Sequence, residues 1–148
     1  MAGIVFPGSG EKVLASGGSM TVHFLDVGQG LSILVQSEGQ NLLYDGGPRS
    51  ASSYVVSYLQ EQNVSEIDYL ISSHYDEDHV SGLIGCLNAF QVDNVIGADY
   101  IHDSSLYGSF MDAVAAHGLK YSIGSGGGVY IWLGRIYNSF TKGNQQRE

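Results

Sequence analysis

Four side chains able to bind a metal fall within six residues: His74, Asp76, Asp78 and His79, in the run Ser73-His74-Tyr75-Asp76-Glu77-Asp78-His79. Imidazole and carboxylate donors together suit zinc, manganese or iron. A short loop of this kind can aim side chains at two adjacent points, as two-metal sites about 3.5–4 Å apart require. Crowding Asp76, Glu77 and Asp78 without a cation is costly, because neighbouring carboxylates oppose each other's ionisation. The competing account, a solvated acidic loop with two incidental histidines, leaves that spacing unexplained.

Two further segments belong with the histidine loop. Asp26-Val27-Gly28-Gln29-Gly30 closes the first strand-like run, and Asp45-Gly46-Gly47 closes the third. Glycine lets the backbone turn sharply and approach a site closely. A strand-end aspartate can orient metal ligands without binding the ion. Asp45 and Asp26 are therefore candidates for a supporting role behind the ligands.

The elements that must position these groups follow from hydrophobic period. Branched and aromatic residues over 21–25, 31–35 and 41–44 predict three short strands, with Glu38-Gly39-Gln40 as a hairpin turn. Ala51, Tyr54, Val55, Tyr58 and Leu59 then lie on one face of a helix. A short buried strand over 67–72 leads into the histidine loop, and a helix follows His79. A strand over 92–96, a helix carrying Leu106, Phe110, Ala113 and Val114, and a strand over 121–123 complete the order β-β-β-α-β-α-β-α-β. Helices packed on a mixed sheet are the natural solution, an α/β fold that some schemes call α+β. We divide the chain into a flexible lead-in over 1–19, a domain over 20–133, and a polar tail over 134–148 expected to be disordered.

Composition limits the function classes. The chain has 148 residues, 43% of them hydrophobic, enough for one domain with a real core. No apolar run reaches the roughly 18 residues of a membrane span, and the N-terminus lacks the apolar core of a signal peptide. The expectation is a cytoplasmic protein, or an exported one whose leader has been removed. Six basic against 15 acidic residues give a formal charge of −9, and no Lys/Arg cluster offers the phosphate contacts of a nucleic-acid groove. The single cysteine, Cys86, excludes an intramolecular disulfide and a cysteine zinc knuckle; it sits in the apolar pattern of Val80, Leu83, Ile84 and Leu87, as a core thiol does.

The runs His23-Phe24-Leu25-Asp26-Val27-Gly28-Gln29-Gly30, Leu43-Tyr44-Asp45-Gly46-Gly47 and Ser73-His74-Tyr75-Asp76-Glu77-Asp78-His79 closely resemble the metallo-β-lactamase superfamily. The resemblance covers about residues 21–123 and is to the ComEC-like branch, the hydrolase domain of the competence DNA-uptake channel and its stand-alone relatives. The superfamily motif is His-x-His-x-Asp-His, and this branch has Asp at the second His, as at Asp76. The resemblance implies an αββα sandwich, of which this sequence covers the N-terminal half. It implies that His74 and Asp76 serve one divalent metal, Zn or Mn, and Asp78 and His79 a second. Asp78 would also orient the attacking water, with Asp45 supporting the site. The implied chemistry is metal-assisted hydrolysis, of phosphodiesters or nucleic acid before β-lactams or thioesters.

The sequence departs from the branch at three places. Leu31 follows Gly-Gln-Gly where Asp is usual. Ser81 stands where Asp-His-x-Gly-Gly has its first glycine. The Gly-Asp and His-His-Gly segments that carry the family's later ligands have no counterpart. A C-terminally truncated chain with a partial, catalytically incompetent site is therefore the alternative expectation. Of the later histidines, His117 falls on an apolar helix face and His102 in a loop after a strand; neither is expected to bind metal.

Overall fold

The structure, a computed structural model, describes residues 19–119 and 121–123. Strands β1 (Met20–Phe24), β2 (Ser32–Ser37) and β3 (Gln40–Gly46) form an antiparallel meander. Glu38 and Gly39 join β2 to β3 with φ of 50° and 82°. Two left-handed residues twist a two-residue turn in the sense the flanking strands need. The chain then passes through a short 3-10 turn (Arg49–Ala51) into helix α1 (Ser52–Glu61) and strand β4 (Glu66–Ile71). Helix α2 (Glu77–Ala89), strand β5 (Gln91–Gly97), helix α3 (Ser105–Ala116) and strand β6 (Tyr121–Ile123) follow.

The six strands form one mixed sheet in the order β1-β2-β3-β4-β5-β6, antiparallel through β3 and parallel from β3 onward. Parallel neighbours need a crossover, and each crossover here carries a helix. Helix α2 lies over β3 between α1 and α3, so the helices make one layer. The element order agrees with the expected one. Helix α2 begins at Glu77, two residues before His79, so Asp78 and His79 sit in its first turn rather than in the loop.

The main core lies between sheet and helices, where Leu34, Leu43, Val55, Leu59, Ile67 and Leu70 are fully buried. Side chains alternate across a strand, so Leu42 and Tyr69 face the other way. With Ile96 they form a smaller cluster flanked by Val35, Tyr44 and Ile71. On that second face β1 leaves Met20, Val22 and Phe24 exposed. One sheet with one helical layer is the N-terminal half expected of an αββα sandwich. The lead-in before residue 19 and the tail over 134–148 lie outside the described residues.

Two backbone contacts seat the site. The Gly46 and Gly82 backbones meet where α2 crosses the end of β3, and a Cβ at Gly82 would strike the Gly46 carbonyl. At Gly30 (φ +119°) a Cβ would strike the Asp78 carbonyl, and Leu31 N donates to that same oxygen at 3.4 Å. The glycines of both strand-end motifs thus let the first two turns of α2 sit directly on the sheet edge.

Candidate metal centre

Strands β3, β4 and β5 run parallel, so their C-terminal ends open on one sheet edge, where α/β proteins place their ligands. The segment leaving β4 carries Ser73, His74, Asp76, Asp78 and His79, and Asp45 is the penultimate residue of β3. Asp45 is fully buried with φ +56°. Aspartate is among the few side chains that tolerate this left-handed region.

That conformation points the Asp45 carboxylate into the loop. Oδ1 accepts from Ser73 N at 2.8 Å, while Oδ2 accepts from Ser73 Oγ at 2.6 Å and from His79 Nδ1 at 2.8 Å. Ser73 spends its only hydroxyl hydrogen on Asp45. The 2.8 Å contact between Ser73 Oγ and His74 Nδ1 therefore has the imidazole donating. Both motif histidines carry hydrogen on Nδ1, which leaves Nε2 of each with a free lone pair, the tautomer a metal ligand needs.

The two rings lie close together, and each Nε2 stands beside an aspartate. The two imidazole rings are 3.9 Å apart at their centroids. His74 Nε2 lies 3.5 Å from Asp76 Oδ2, and His79 Nε2 lies 3.8 Å from Asp78 Oδ2. Both separations exceed the roughly 2.7–3.2 Å of a hydrogen bond. They approach the spacing of two donors on one ion, since ligands about 2.0–2.1 Å from a tetrahedral zinc stand about 3.3–3.4 Å apart. The donor set fits a divalent cation.

Asp45, His74 and His79 also form a group with one ligand atom each within 4.8 Å of the others. Three hydrogen bonds already occupy the Asp45 oxygens, which favours a supporting part for it over direct ligation. Asp76 caps α2 by position, yet its side chain makes no capping hydrogen bond and stays largely exposed. Asp26 is exposed, and its Oδ1 accepts from Gly28 N at 3.3 Å. It shapes its own turn and lies outside the group gathered here, unlike Asp45.

Residues 25–138 match the family model described as the metallo-beta-lactamase superfamily. The chain belongs to the metallo-beta-lactamase superfamily. Among curated relatives, Competence protein ComA of Neisseria gonorrhoeae is 41% identical over 58 residues, 38% of this chain and 8% of that protein. Recombination protein 2 of Haemophilus influenzae is 38% identical over 74 residues, 47% of this chain and 9% of that protein. The chain thus spans less than a tenth of the length of these two relatives, and their names agree with the ComEC-like resemblance. Among solved structures, a metallo-beta-lactamase of Cronobacter sakazakii with a HARLDQ motif aligns at TM-score 0.42 and 20% identity, over 47% of this chain and 27% of its own. A diphosphatase of the PhnP family aligns at TM-score 0.43 and 14% identity, over 64% of this chain and 37% of its own.

Within this superfamily member, Tyr75 of the motif ties a further segment of the chain to the site. Tyr75 points into the core, donates from its hydroxyl to Ala98 O at 2.7 Å, and packs against Tyr100 and Tyr107. That aromatic group holds the loop after β5, where His102 Nε2 comes to 3.9 Å from Asp76 Oδ1. Sequence reasoning placed His102 in a loop after a strand and did not expect it to bind metal. The Tyr100 hydroxyl titrates above its ordinary range, chiefly through partial burial and next through the nearby Asp76 charge. His117 behaves as expected, tying the end of α3 to the Leu87 carbonyl on α2. Cys86 is buried, and desolvation pushes its thiol up to about 12, so it is an inert core thiol. Among the described residues, no helix is long and apolar enough to cross a membrane.

Proposed function

We propose that this chain carries a metal-dependent phosphodiesterase site, with His74 and Asp76 holding one divalent cation and Asp78 and His79 the other. One observation carries the reading. Both motif histidines turn Nδ1 onto a protein oxygen and present Nε2 beside an aspartate at 3.5 Å and 3.8 Å. Divalent cations bound there lower the pKa of water from about 15.7 toward about 7 and stabilise charge on a substrate oxygen. The protein's own part is positional. Asp45 fixes the His79 tautomer, Ser73 fixes that of His74, and Asp78 orients the attacking water and takes up its proton at a carboxylate oxygen. The Asp76 carboxylate in place of an imidazole adds a hard oxygen donor and moves the preference toward manganese, with zinc still accommodated.

The phosphodiester assignment draws on the relatives named for competence and recombination, both processes of DNA. The net charge of −9 lends the phosphodiester assignment no support of its own, so a substrate phosphate would have to be met by the bound cations. A second reading, cation binding without turnover, is favoured by the open setting of Asp76, whose side chain is 63% exposed. The test is hydrolysis of a chromogenic phosphodiester by the full chain, loaded with manganese or with zinc. Asp78→Ala should lose at least about 100-fold in rate. Equal rates for the two proteins sink the hydrolase reading, and bound metal without turnover in the parent chain selects the second.

A further inference from the structure

We propose that His102 is a third protein ligand to the cation held by His74 and Asp76, supplied by the loop between β5 and α3. The inference rests on the metal reading above and extends it to a residue outside the histidine motif.

His102 repeats the arrangement of the two motif histidines. Each has Nδ1 on a protein oxygen one or two residues away, or across the site: Ser73 Oγ for His74, Asp45 Oδ2 for His79, and Ser104 Oγ for His102 at 2.9 Å. Each turns Nε2 toward an aspartate oxygen beyond hydrogen-bonding range, at 3.5, 3.8 and 3.9 Å respectively. The two aspartates divide the three imidazoles. Asp78 faces His79, while the two oxygens of Asp76 face one histidine each, Oδ2 toward His74 and Oδ1 toward His102. Asp76 therefore stands between two imidazoles. It and His102 lie outside the tighter Asp45–His74–His79 group, so a shared cation requires the exposed Asp76 side chain to turn toward both rings.

The surroundings fix the His102 ring. Ser104 is the N-cap of α3, and its Oγ accepts from Tyr107 N at 3.1 Å. The serine is thereby anchored and holds the ring at Nδ1, which turns Nε2 toward Asp76. The His102 ring also lies edge-on to Tyr75, with centroids 6.5 Å apart, and beside Tyr100 at 6.3 Å. Tyr100 Oη accepts from Tyr75 N at 3.3 Å, so the loop that carries His102 is tied back to the motif itself. A solvated loop histidine needs none of these restraints.

The test is cobalt(II) titration of the metal-free full chain, followed by visible absorption and calorimetry, with chelator-stripped protein checked by circular dichroism. His102→Ala should weaken one of two cobalt sites by roughly 100-fold or more, and Ser104→Ala by roughly 10–100-fold as an outer-shell loss. His117→Ala serves as the control and should leave both sites unchanged. His102→Cys should restore binding and add a near-ultraviolet charge-transfer band from a thiolate on cobalt, which a merely structural residue cannot produce. Unchanged affinity in His102→Ala, or no such band in His102→Cys, overturns the proposal while the motif site stands if His74→Ala still abolishes binding. Failure of the parent chain to bind cobalt overturns both readings together.

Discussion

Replacing Asp45 by asparagine separates the two parts this buried carboxylate could play. Asparagine keeps the shape and also tolerates the φ of +56°, so the backbone is not strained. One oxygen remains to accept from Ser73 N, now at 2.8 Å from Asp45 Oδ1. The amide NH2 must then occupy the place of Oδ2, facing the Ser73 hydroxyl and His79 Nδ1, which both donate in the parent chain. A hydroxyl rotates at little cost. The imidazole accepts the amide hydrogen only by moving its own hydrogen from Nδ1 to Nε2, the nitrogen that faces Asp78 at 3.8 Å. Metal binding to Asp45→Asn must reverse that tautomer and strand a buried donor, worth about 1–3 kcal/mol. The expected loss of affinity is about 10–100-fold, or about 1.4–2.8 kcal/mol. Metal-free stability should change by less than about 1 kcal/mol, since the switched tautomer satisfies the pair. Calorimetric titration with zinc or manganese and a thermal melt of the stripped protein measure the two quantities, and nitrogen NMR of the imidazoles reads the tautomer directly. Affinity within twofold of the parent refutes the supporting role. A loss beyond about 1,000-fold also refutes it, by making Asp45 itself a ligand.

Gly82→Ala should cost about 3 kcal/mol or more, because the added Cβ meets the Gly46 backbone carbonyl and not a side chain that could move. A denaturant midpoint unchanged from the parent would show that α2 does not sit on β3 as closely as described here. Asp93→Asn bears on pH dependence. Glu66 titrates above its ordinary 4.5, first through the hydrogen bond it shares with Asp93 and then through that residue's charge. A raised carboxyl pKa in the folded state contributes stability at pH below the unfolded value and loses it as pH rises through the folded value. Asp93→Asn should therefore be more stable than the parent at neutral pH, with the difference shrinking below about pH 4.5. Melts across pH that run parallel for the two proteins would contradict the pairing.

The order of elements was legible because local chemistry fixes it. Runs rich in branched and aromatic residues marked β1 to β3, Glu38-Gly39-Gln40 marked the hairpin turn between the last two, and the stripe through Val55 and Leu59 had one helical face to bury. The histidine loop was legible for the same reason, since its donors lie within six residues of one another. What spacing could not reveal was the company the loop keeps. His102 lies 26 positions beyond Asp76 in sequence, and nothing in its own neighbourhood marks it. It reaches the site because β5 pairs in parallel with β4, with Leu70 beside Val95 and Ile71 beside Ile96, so the segments leaving both strands emerge together. Register alone does not set Asp26 apart from the site. Phe24 pairs with Ile33, and Ile33 with Tyr44, so β1 ends on the same sheet edge. Asp26 there turns back on Gly28 N, leaving the close approach to Asp78 to Gly30. Two aspartates at strand ends looked equivalent in sequence. Left-handed backbone and full burial separate Asp45 from Asp26, and neither property follows from residue type alone.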